Sequence, residues 1–277
     1  MKKRLITFFF VIIVLGFLFQ SLAQFTPEEI AAREKWEEFL KTAEIIEKEQ
    51  PFSKREAVTE PWVLTLEKDG ITNKALWKNP EGLMKGFTEN WKWEIAAYRL
   101  DKYLGLNMVP PTVERRFQEN RGSCQLWIEA EMSLKDKVEN KIKTPSYKIF
   151  PLNRAYYIQR AFDNLIANED RHQNQFLFTK DWRMILIDHS RTFRTSKKFT
   201  KKLIYDEKYK EGPSFIMKEL PRTFVEKLKD LNAEVIKDIV GEYLTDKEIE
   251  ALLIRRDLIL KWLDKHIKKL GEDKVLY

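Results

Sequence analysis

Cysteine is nearly absent from this sequence, since Cys124 is the only one among 277 residues. No intramolecular disulfide can form, so the fold must be stabilised by its apolar core. Cys124 lies in the run Ser123–Ile128, which is typical of a strand, and we therefore favour a buried structural thiol over a reactive nucleophile. The sequence also contains no internal repeat and no low-complexity linker.

Neither sign of charge dominates the sequence. The formal net charge is +7, but Lys2, Lys3 and Arg4 belong to an N-terminal targeting segment, and +4 remains without them. Acidic and basic residues are mixed throughout, which predicts ordinary solubility and argues against a nucleic-acid partner. With 43% apolar and 13% aromatic residues the chain can bury a sizeable core, which excludes wholesale disorder.

Residues 1–23 have the order of a cleavable signal peptide. A basic start is followed by apolar residues up to Phe19, and the small residues Ser21 and Ala23 precede a predicted cleavage point after Ala23. An uncleaved membrane anchor is the alternative, because the apolar run is just short of a comfortable span. No cysteine stands directly after the run, which argues against lipoprotein attachment. In either case we expect an exported domain, either periplasmic or secreted.

Local signals predict a small antiparallel sheet and one helix in the first half. Asp69-Gly70 is a strong hairpin signal, and Pro110-Pro111 requires an extended connection. The predicted elements are a helix over 27–49 with a capping box at Thr26, a hairpin over 62–77, a loop over 79–90, a helix over 91–104 that stops at Gly105, and strands over 112–117 and 123–128 around a turn ending at Gly122.

The second half is predicted to be mainly helical. Its elements are helices over 153–167, 218–231, 233–243 and 246–270, and a hairpin of 175–179 and 184–188 around Asp181-Trp182. Charged residues and Pro145 interrupt the pattern over 129–150. The predicted division is a signal peptide (1–23), an N-terminal helical extension (24–55), a strand-rich lobe (56–128) and a helix-rich lobe (129–277).

Two aspartates are the strongest candidates for chemistry. Asp170 lies in the polar run Asn168–Gln175 between a helix and a hairpin, and Asp188 ends the second strand of that hairpin. Phosphoryl transfer needs one aspartate to deprotonate the acceptor hydroxyl and another to hold the metal. The structural alternative is that Asp170 serves as a cap and that Asp188 pairs with Arg191 or Arg194. A metal-dependent hydrolase is disfavoured, because His-x-Glu and paired-His zinc spacings are absent.

The first half adds a lysine at the end of a predicted strand, Lys78, and a glutamate one turn into the next helix, Glu94. A strand lysine paired with a helix glutamate positions phosphate oxygens in kinases. This pair alone is a weak signal, since 34% of the residues are charged. The order of strand lysine, helix glutamate, first aspartate and second aspartate is far more specific.

This ordered set resembles the atypical kinases, which include phosphatidylinositol kinases, HipA-type kinases and secretory-pathway kinases of the four-jointed and casein-phosphorylating type. The resemblance is carried by Ala75–Lys78, Glu94, Ala96–Asp101, Val109–Pro111, Asn168, Asp170–His172 and Leu186–Asp188. In the predicted catalytic loop the aspartate precedes Arg and His, the reverse of ordinary protein kinases. The sequence therefore looks like an exported, bacterial-type member of that superfamily.

The resemblance implies an α+β, two-lobed kinase-like fold with a small antiparallel-sheet N-lobe, one helix there, and a mainly helical C-lobe. It implies ATP and Mg²⁺ or Mn²⁺ as cofactors, and a monomer that acts on a hydroxyl of a protein, glycan or lipid. The implied site residues are Asp170 and His172 for catalysis, Lys78, Glu94, Gln125, Trp127 and Glu129 for the nucleotide, and Asp188 and Gln175 for the metal.

The sequence departs from the family pattern at two places. Gln175 stands where related kinases usually have a metal-binding asparagine, and the only candidate phosphate loop is Asp69-Gly70 with Ile71 and Thr72. Both departures favour the alternative of a pseudokinase that binds nucleotide or serves as a scaffold. The lysines at 197, 198, 201 and 202 are either a solvated loop or a site for an acidic substrate.

We predict that the mature protein begins at Gln24 and is found outside the cytoplasm. The basic, apolar and small-residue order of residues 1–23 is the reason. N-terminal sequencing of the protein from an exporting cell checks this, and an intact Met1 in the membrane fraction would indicate an anchor instead. Recovery in the cytosol would refute export altogether.

Overall fold

The computed structural model describes residues 25–51, 59–205 and 217–277, so the predicted signal peptide lies outside the described residues. The chain has a mixed α+β fold, with a five-stranded antiparallel sheet in its first half and mainly helices in its second half. The predicted fold class is thus confirmed. None of the described helices is long and apolar enough to cross a membrane.

The N-terminal extension contains two helices and a strand. Thr26 forms the predicted capping box at the start of helix α1 (Pro27–Ala31), helix α2 (Arg33–Thr42) follows, and strand β1 (Glu44–Glu49) comes next. The prediction of one helix over 27–49 was wrong beyond Thr42. Residues 44–49 contain two adjacent β-branched residues, Ile45 and Ile46, and they pair antiparallel with the neighbouring strand. Tertiary pairing overrides the helical pattern there.

The first half continues with β2 (Trp62–Lys68), β3 (Ile71–Lys78), β4 (Glu81–Met84), β5 (Phe87–Asn90), α3 (Trp91–Leu104), β6 (Thr112–Phe117) and β7 (Asn120–Leu126). The main sheet has the order β1-β2-β3-β7-β6. The predicted hairpin at Asp69-Gly70 is present, and α3 has the predicted bounds, with Asn90 as N-cap and Gly105 as left-handed C-cap.

Two local predictions in this region were wrong. Residues 79–90 are not simply a loop, because β4 and β5 form a separate two-stranded hairpin. The turn between β6 and β7 is at Gln118 and Glu119, which both have positive φ, whereas Gly122 is paired within β7. The expectation of glycine at the turn therefore placed it too late in the chain.

The two faces of the main sheet have different environments. One face packs against α2 in a cluster that includes Phe39, Leu66, Trp77 and Cys124. Cys124 is fully buried, and burial raises the pKa of its thiol to about 12, in agreement with the structural interpretation. Because side chains alternate along a strand, Lys78 lies on the opposite face, which is open to the cleft between the two halves.

The second half contains β8 (Met132–Ser133), α4 (Leu134–Glu139), α5 (Ser146–Ile166), β9 (Phe176–Phe178), β10 (Met184–Leu186), α6 (Lys197–Thr200), α7 (Arg222–Asp230), α8 (Ala233–Val240) and α9 (Asp246–Leu270). The predicted helices are present, but α5 begins earlier than predicted, at Ser146, and α7 begins later, after Pro221. The predicted hairpin is present as β9 and β10, which form a three-stranded sheet with β8.

We expect Gly122→Ala to lower the free energy of unfolding by about 1–3 kcal/mol, through overpacking. A Cβ at this position would lie 2.5 Å from the carbonyl oxygen of Lys78 and 2.7 Å from the Trp77 ring. Chemical denaturation measures the effect. Gly70→Asn is the matched control, because Gly70 has a φ of +73°, which asparagine tolerates, and no atom lies within 4 Å of an added Cβ. Equal destabilisation by both substitutions would show that close packing around Gly122 is not the cause.

Candidate active site

Lys78 lies between two carboxylates at the end of β3. Its Nζ is 2.9 Å from Glu94 Oε1 and 2.9 Å from Asp188 Oδ1. The predicted ion pair with Glu94 is therefore present, and Asp188 joins it from the other half of the chain. Burial alone would lower the pKa of Lys78, but the charges of Asp188 and Glu94 outweigh it and raise the pKa. The ammonium stays charged.

The two carboxylates are both held ionised. Burial opposes ionisation of Asp188, but the adjacent Lys78 charge keeps its pKa well below the ordinary value. Burial likewise opposes ionisation of Glu94, and Lys78 together with His189 lowers its pKa. The Asp188 side chain is still 37% exposed to the cleft. Its backbone has a φ of +62°, a left-handed conformation that aspartate adopts more readily than most residues.

His189 connects this cluster to the loop that carries Arg171. Its backbone N–H donates to Glu94 Oε2 at 2.9 Å, and its Nε2 lies 2.9 Å from Arg171 Nη2. A guanidinium only donates hydrogen bonds, so Nε2 must be the acceptor and the ring proton must be on Nδ1. Burial lowers the pKa of His189, which fits this neutral tautomer.

The loop after α5 is held by a buried ion pair between Arg171 and Asp163. Arg171 Nε and Nη2 donate to the two carboxylate oxygens at 2.9 and 3.0 Å, and neither side chain is exposed. Arg171 Nη1 also donates to the carbonyl of Ile187 at 2.8 Å. Asn168 donates to Asp163 at 3.2 Å. These bonds fix the loop that carries Asp170 against the segment after β10 that carries Asp188.

Asp170 faces the cleft from this loop, with its side chain 31% exposed. Its Oδ2 is 3.1 Å from Nη1 of Arg191, whose Nε pairs with Glu89. The structural alternative had paired Asp188 with a nearby arginine, but it is Asp170 that binds Arg191. Glu89 is 1% exposed and also accepts from Ser190 Oγ at 2.6 Å.

Glu89 and Arg191 are cleft residues that were not predicted from the sequence. Glu89 fell within a predicted loop, and Arg191 was considered only as an ion-pair partner of Asp188. No local pattern marks either residue, since Glu89 meets Arg191 across 102 residues of chain. The hairpin of β4 and β5 is the feature that brings them together.

Gln175 and His172 support the edge of the cleft. The Gln175 amide donates from Nε2 to Asp188 Oδ2 at 3.3 Å, and its Oε1 accepts from the His172 backbone N–H at 3.3 Å. His172 Nδ1 accepts from the Asn174 N–H at 3.3 Å, so this ring has a structural partner within the loop. The metal-binding role of Gln175 and the catalytic role of His172 remain predictions.

A cleft of about 560 Å³ joins these residues. It is lined by Thr59, Pro61, Leu76, Lys78, Glu89, Asp170, His172, Asn174, Gln175, Ile187, Asp188, Ser190 and Arg191. Of the other predicted nucleotide residues, Gln125 lies opposite Leu76 in the register, on the face that bears Lys78, and donates to Thr112 at 2.9 Å. Trp127 and Glu129 line a second cavity, which Lys78 and Asp188 do not border. The structure thus does not bring those two to the cleft.

The predicted candidate for a phosphate loop does not line the cleft. Asp69-Gly70 joins β2 to β3 at the end away from Lys78, about 25 Å along the strand. Thr59 and Pro61, which directly precede β2, are lining residues of the cleft. The hairpin signal was correct for the fold, but the turn that it forms lies at the far end of β3 from Lys78.

Carboxylates that could hold a hard cation line the cleft at Asp188 and Glu89, and beside them Gln175 turns its amide nitrogen toward Asp188. Carboxylate and amide oxygens suit Mg²⁺ or Mn²⁺, and such sites often use one or two protein carboxylates with phosphates and water completing the shell. In the described part of the chain, no group of three or more His, Cys, Asp or Glu side chains is arranged to hold a metal alone. One or two carboxylates at a cleft fit a metal that arrives with phosphates.

The fold is shared with known kinases. A hydra Fam20 structure with sugar aligns with a TM-score of 0.63 and 15% identity, covering 89% of this chain and 92% of that chain. The Golgi casein kinase aligns with a TM-score of 0.61, and its structure with Mn and ADP bound with 0.62; each is 15% identical and covers 92% of this chain, and 79% and 80% of those chains. No protein-family model and no curated protein matches the sequence. These likenesses show an atypical-kinase-like fold.

We expect Arg171→Met to lower the free energy of unfolding by about 3–5 kcal/mol, because it leaves Asp163 buried without its counter-charge. Asp163→Asn should be costly for the same reason, whereas the double variant should recover part of the loss. A double-mutant cycle in chemical denaturation measures the coupling. Arg121→Met serves as control, since its ion pair with Glu114 is 40% exposed on the arginine side. Additive effects of the two buried substitutions would contradict the assignment.

Proposed function

We propose that this chain is an exported, ATP-dependent phosphotransferase that transfers the γ-phosphoryl group to a hydroxyl of a protein, glycan or lipid. The observation that carries the proposal is Lys78, bound at 2.9 Å to Glu94 of α3 and at 2.9 Å to Asp188 of the second half. This arrangement places a charged ammonium and an ionised carboxylate at one cleft. A nucleoside triphosphate requires the ammonium for its phosphates and the carboxylate for its metal.

The proposed reaction uses residues of both halves. Lys78 binds phosphate oxygens, and Asp188 with Gln175 and Glu89 would hold Mg²⁺ or Mn²⁺, which neutralises charge on the phosphates. Asp170 accepts the proton of the acceptor hydroxyl as that oxygen bonds to the γ-phosphorus and the bond to the bridging oxygen of ADP breaks. The ion pair of Asp170 with Arg191 uses Oδ2, which leaves Oδ1 of this cleft residue for the acceptor.

The comparisons support the proposal at the level of the fold. The Golgi casein kinase, with Mn and ADP bound in one structure, aligns over 92% of this chain. At 15% identity this likeness does not assign an acceptor or a residue role. The same proposal includes a monomeric state, the four-part division of the chain and a location outside the cytoplasm. All three rest on the sequence.

A pseudokinase is the second candidate, and two observations favour it. Gln175 turns its amide nitrogen, not its carbonyl oxygen, toward Asp188. Asp170, the proposed base, forms an ion pair with Arg191. The presence of Lys78, Glu94, Asp170 and Asp188 together favours the active enzyme, because drift after loss of catalysis would be expected to damage at least one of them.

We expect Asp188→Ala to abolish the metal-dependent thermal shift that ATP produces, because its carboxylate supplies the main charge for the cation. Asp170→Ala should leave that shift nearly intact and lower turnover at least about 100-fold, since it acts only on the acceptor. Gln175→Asn should be neutral or activating. The measurements are thermal shift with ATP and Mg²⁺ or Mn²⁺, and transfer of labelled phosphate, including autophosphorylation.

Asp273→Ala is the matched control, because this carboxylate is fully exposed and lies outside the cleft. It should behave as wild type in both assays. Metal-dependent ATP binding without any transfer, and with no effect of Asp170→Ala, would establish the pseudokinase. If neither nucleotide nor metal changes the melting temperature, the cleft does not bind nucleotide, and the site assignment of both candidate functions is refuted.

A further inference from the structure

Exposed large apolar side chains are concentrated in one stretch of the second half. Val138, Ile142, Tyr147, Ile149 and Phe150 are all exposed, Tyr147 to 74% and Phe150 to 58%. The other exposed large apolar residues of the described chain are fewer in any one place, with Ile46 on β1, Leu83 and Phe87 on the hairpin of β4 and β5, and Ile254 and Leu270 sixteen residues apart on α9. Single exposed apolar residues are normal at a surface, whereas a contiguous group indicates an interaction site. We refer to residues 138–150 as the apolar patch.

The apolar patch is exposed over most of its length. Helix α5 is exposed at nearly every position from Ser146 to Pro151 and becomes buried only at Leu152. The backbone N–H of Ile142 donates to the carbonyl of Lys137 at 2.9 Å, which folds the connection back onto the end of α4. Helix α4 also packs against the turn at 173–175, so the patch adjoins the loop that contributes to the cleft.

Lysines surround these apolar side chains. Residues 134–150 contain five lysines, at 135, 137, 141, 143 and 148, and only two acidic residues, at 136 and 139. Lys135 and Glu139 form an exposed pair at 3.8 Å. Lys141 and Lys143 are exposed, and neither forms an ion pair within the described part of the chain. The patch therefore presents uncompensated positive charge beside apolar and aromatic groups.

The combination of lysines with apolar side chains bears on whether the partner is a protein or a lipid surface. Lysine is depleted in the cores of protein–protein interfaces, because an ammonium loses its hydration there. At a lipid surface the apolar side chains enter the boundary of the acyl chains while lysine stems extend to the headgroups. Anionic headgroups then attract the lysines. We propose that the apolar patch docks this protein onto the surface of an anionic lipid bilayer, independently of the reaction at the cleft.

The test uses a fluorophore that is sensitive to its environment, attached to a Tyr147→Cys variant of the full chain. The native Cys124 is fully buried, and its raised pKa, about 12, keeps it unreactive, so labelling is confined to position 147. Vesicles of phosphatidylcholine, with or without about one third phosphatidylglycerol, are added. We expect a blue shift with the anionic vesicles that decreases with salt. A Leu83→Cys label, at a site 76% exposed outside the patch, should not shift.

Substitution of both Lys141 and Lys143 by glutamine should lower the vesicle partition reported by the label roughly 30-fold, at about 1 kcal/mol per lysine. Glutamine at the exposed Lys229 and Lys247 is the matched control and should leave it unchanged. Unaltered melting temperatures verify folding.

Three results would overturn the proposal. The first is that anionic vesicles cause no blue shift of the label at position 147. The second is an equal blue shift with neutral vesicles. The third is a blue shift without vesicles as the protein concentration rises. The last result would identify the patch as a contact between copies of the chain.

Discussion

The position of Lys78 constrains the rest of the structure. Its ammonium is buried, 7% exposed for the whole residue, and an unpaired charge there would cost several kcal/mol. Glu94 and Asp188 compensate it from α3 and from the strand end of the second half. A buried ion pair contributes little net stability, but losing one partner is expensive, so such a group selects one arrangement of the elements. The relative position of sheet, helix and hairpin is therefore specified by a single cation.

The Lys78 ammonium lies at one end of a longer network of buried polar groups. Asp163 holds Arg171, which donates to His189, whose backbone N–H donates to Glu94, the partner of Lys78. Every member is buried or largely buried, and each bond needs the next for its orientation. His189 is neutral in this network, because Arg171 donates a hydrogen bond to its Nε2, and that nitrogen must therefore be unprotonated. The network joins the loop after α5 to the sheet without any covalent crosslink.

Elements with strong local signals could be predicted from the sequence. Asn90 and Gly105 cap α3, and Asp69-Gly70 closes a hairpin, because a cap or tight turn is decided by residues close in sequence. The error at residues 44–49 has the opposite cause, since the hydrogen bonds that make them a strand come from β2.

The candidate site, too, could be predicted only in part from the sequence. The order of Lys78, Glu94, Asp170 and Asp188 could be found because each follows a recognisable element, whereas Glu89 and Arg191 are paired only by topology.

That pair bears on whether the chain is active. Each exposed carboxylate of the cleft has a cation, Asp188 with Lys78 and Asp170 with Arg191. In the proposed reaction a triphosphate would add negative charge that attracts both cations, and long flexible side chains can turn toward it. Lys78 would keep Glu94 as its partner if Asp188 turned to a metal, and Arg191 would keep Glu89 if Asp170 turned to an acceptor. Both shifts would leave no buried charge unpaired, so the geometry of the cleft is compatible with the proposed transfer.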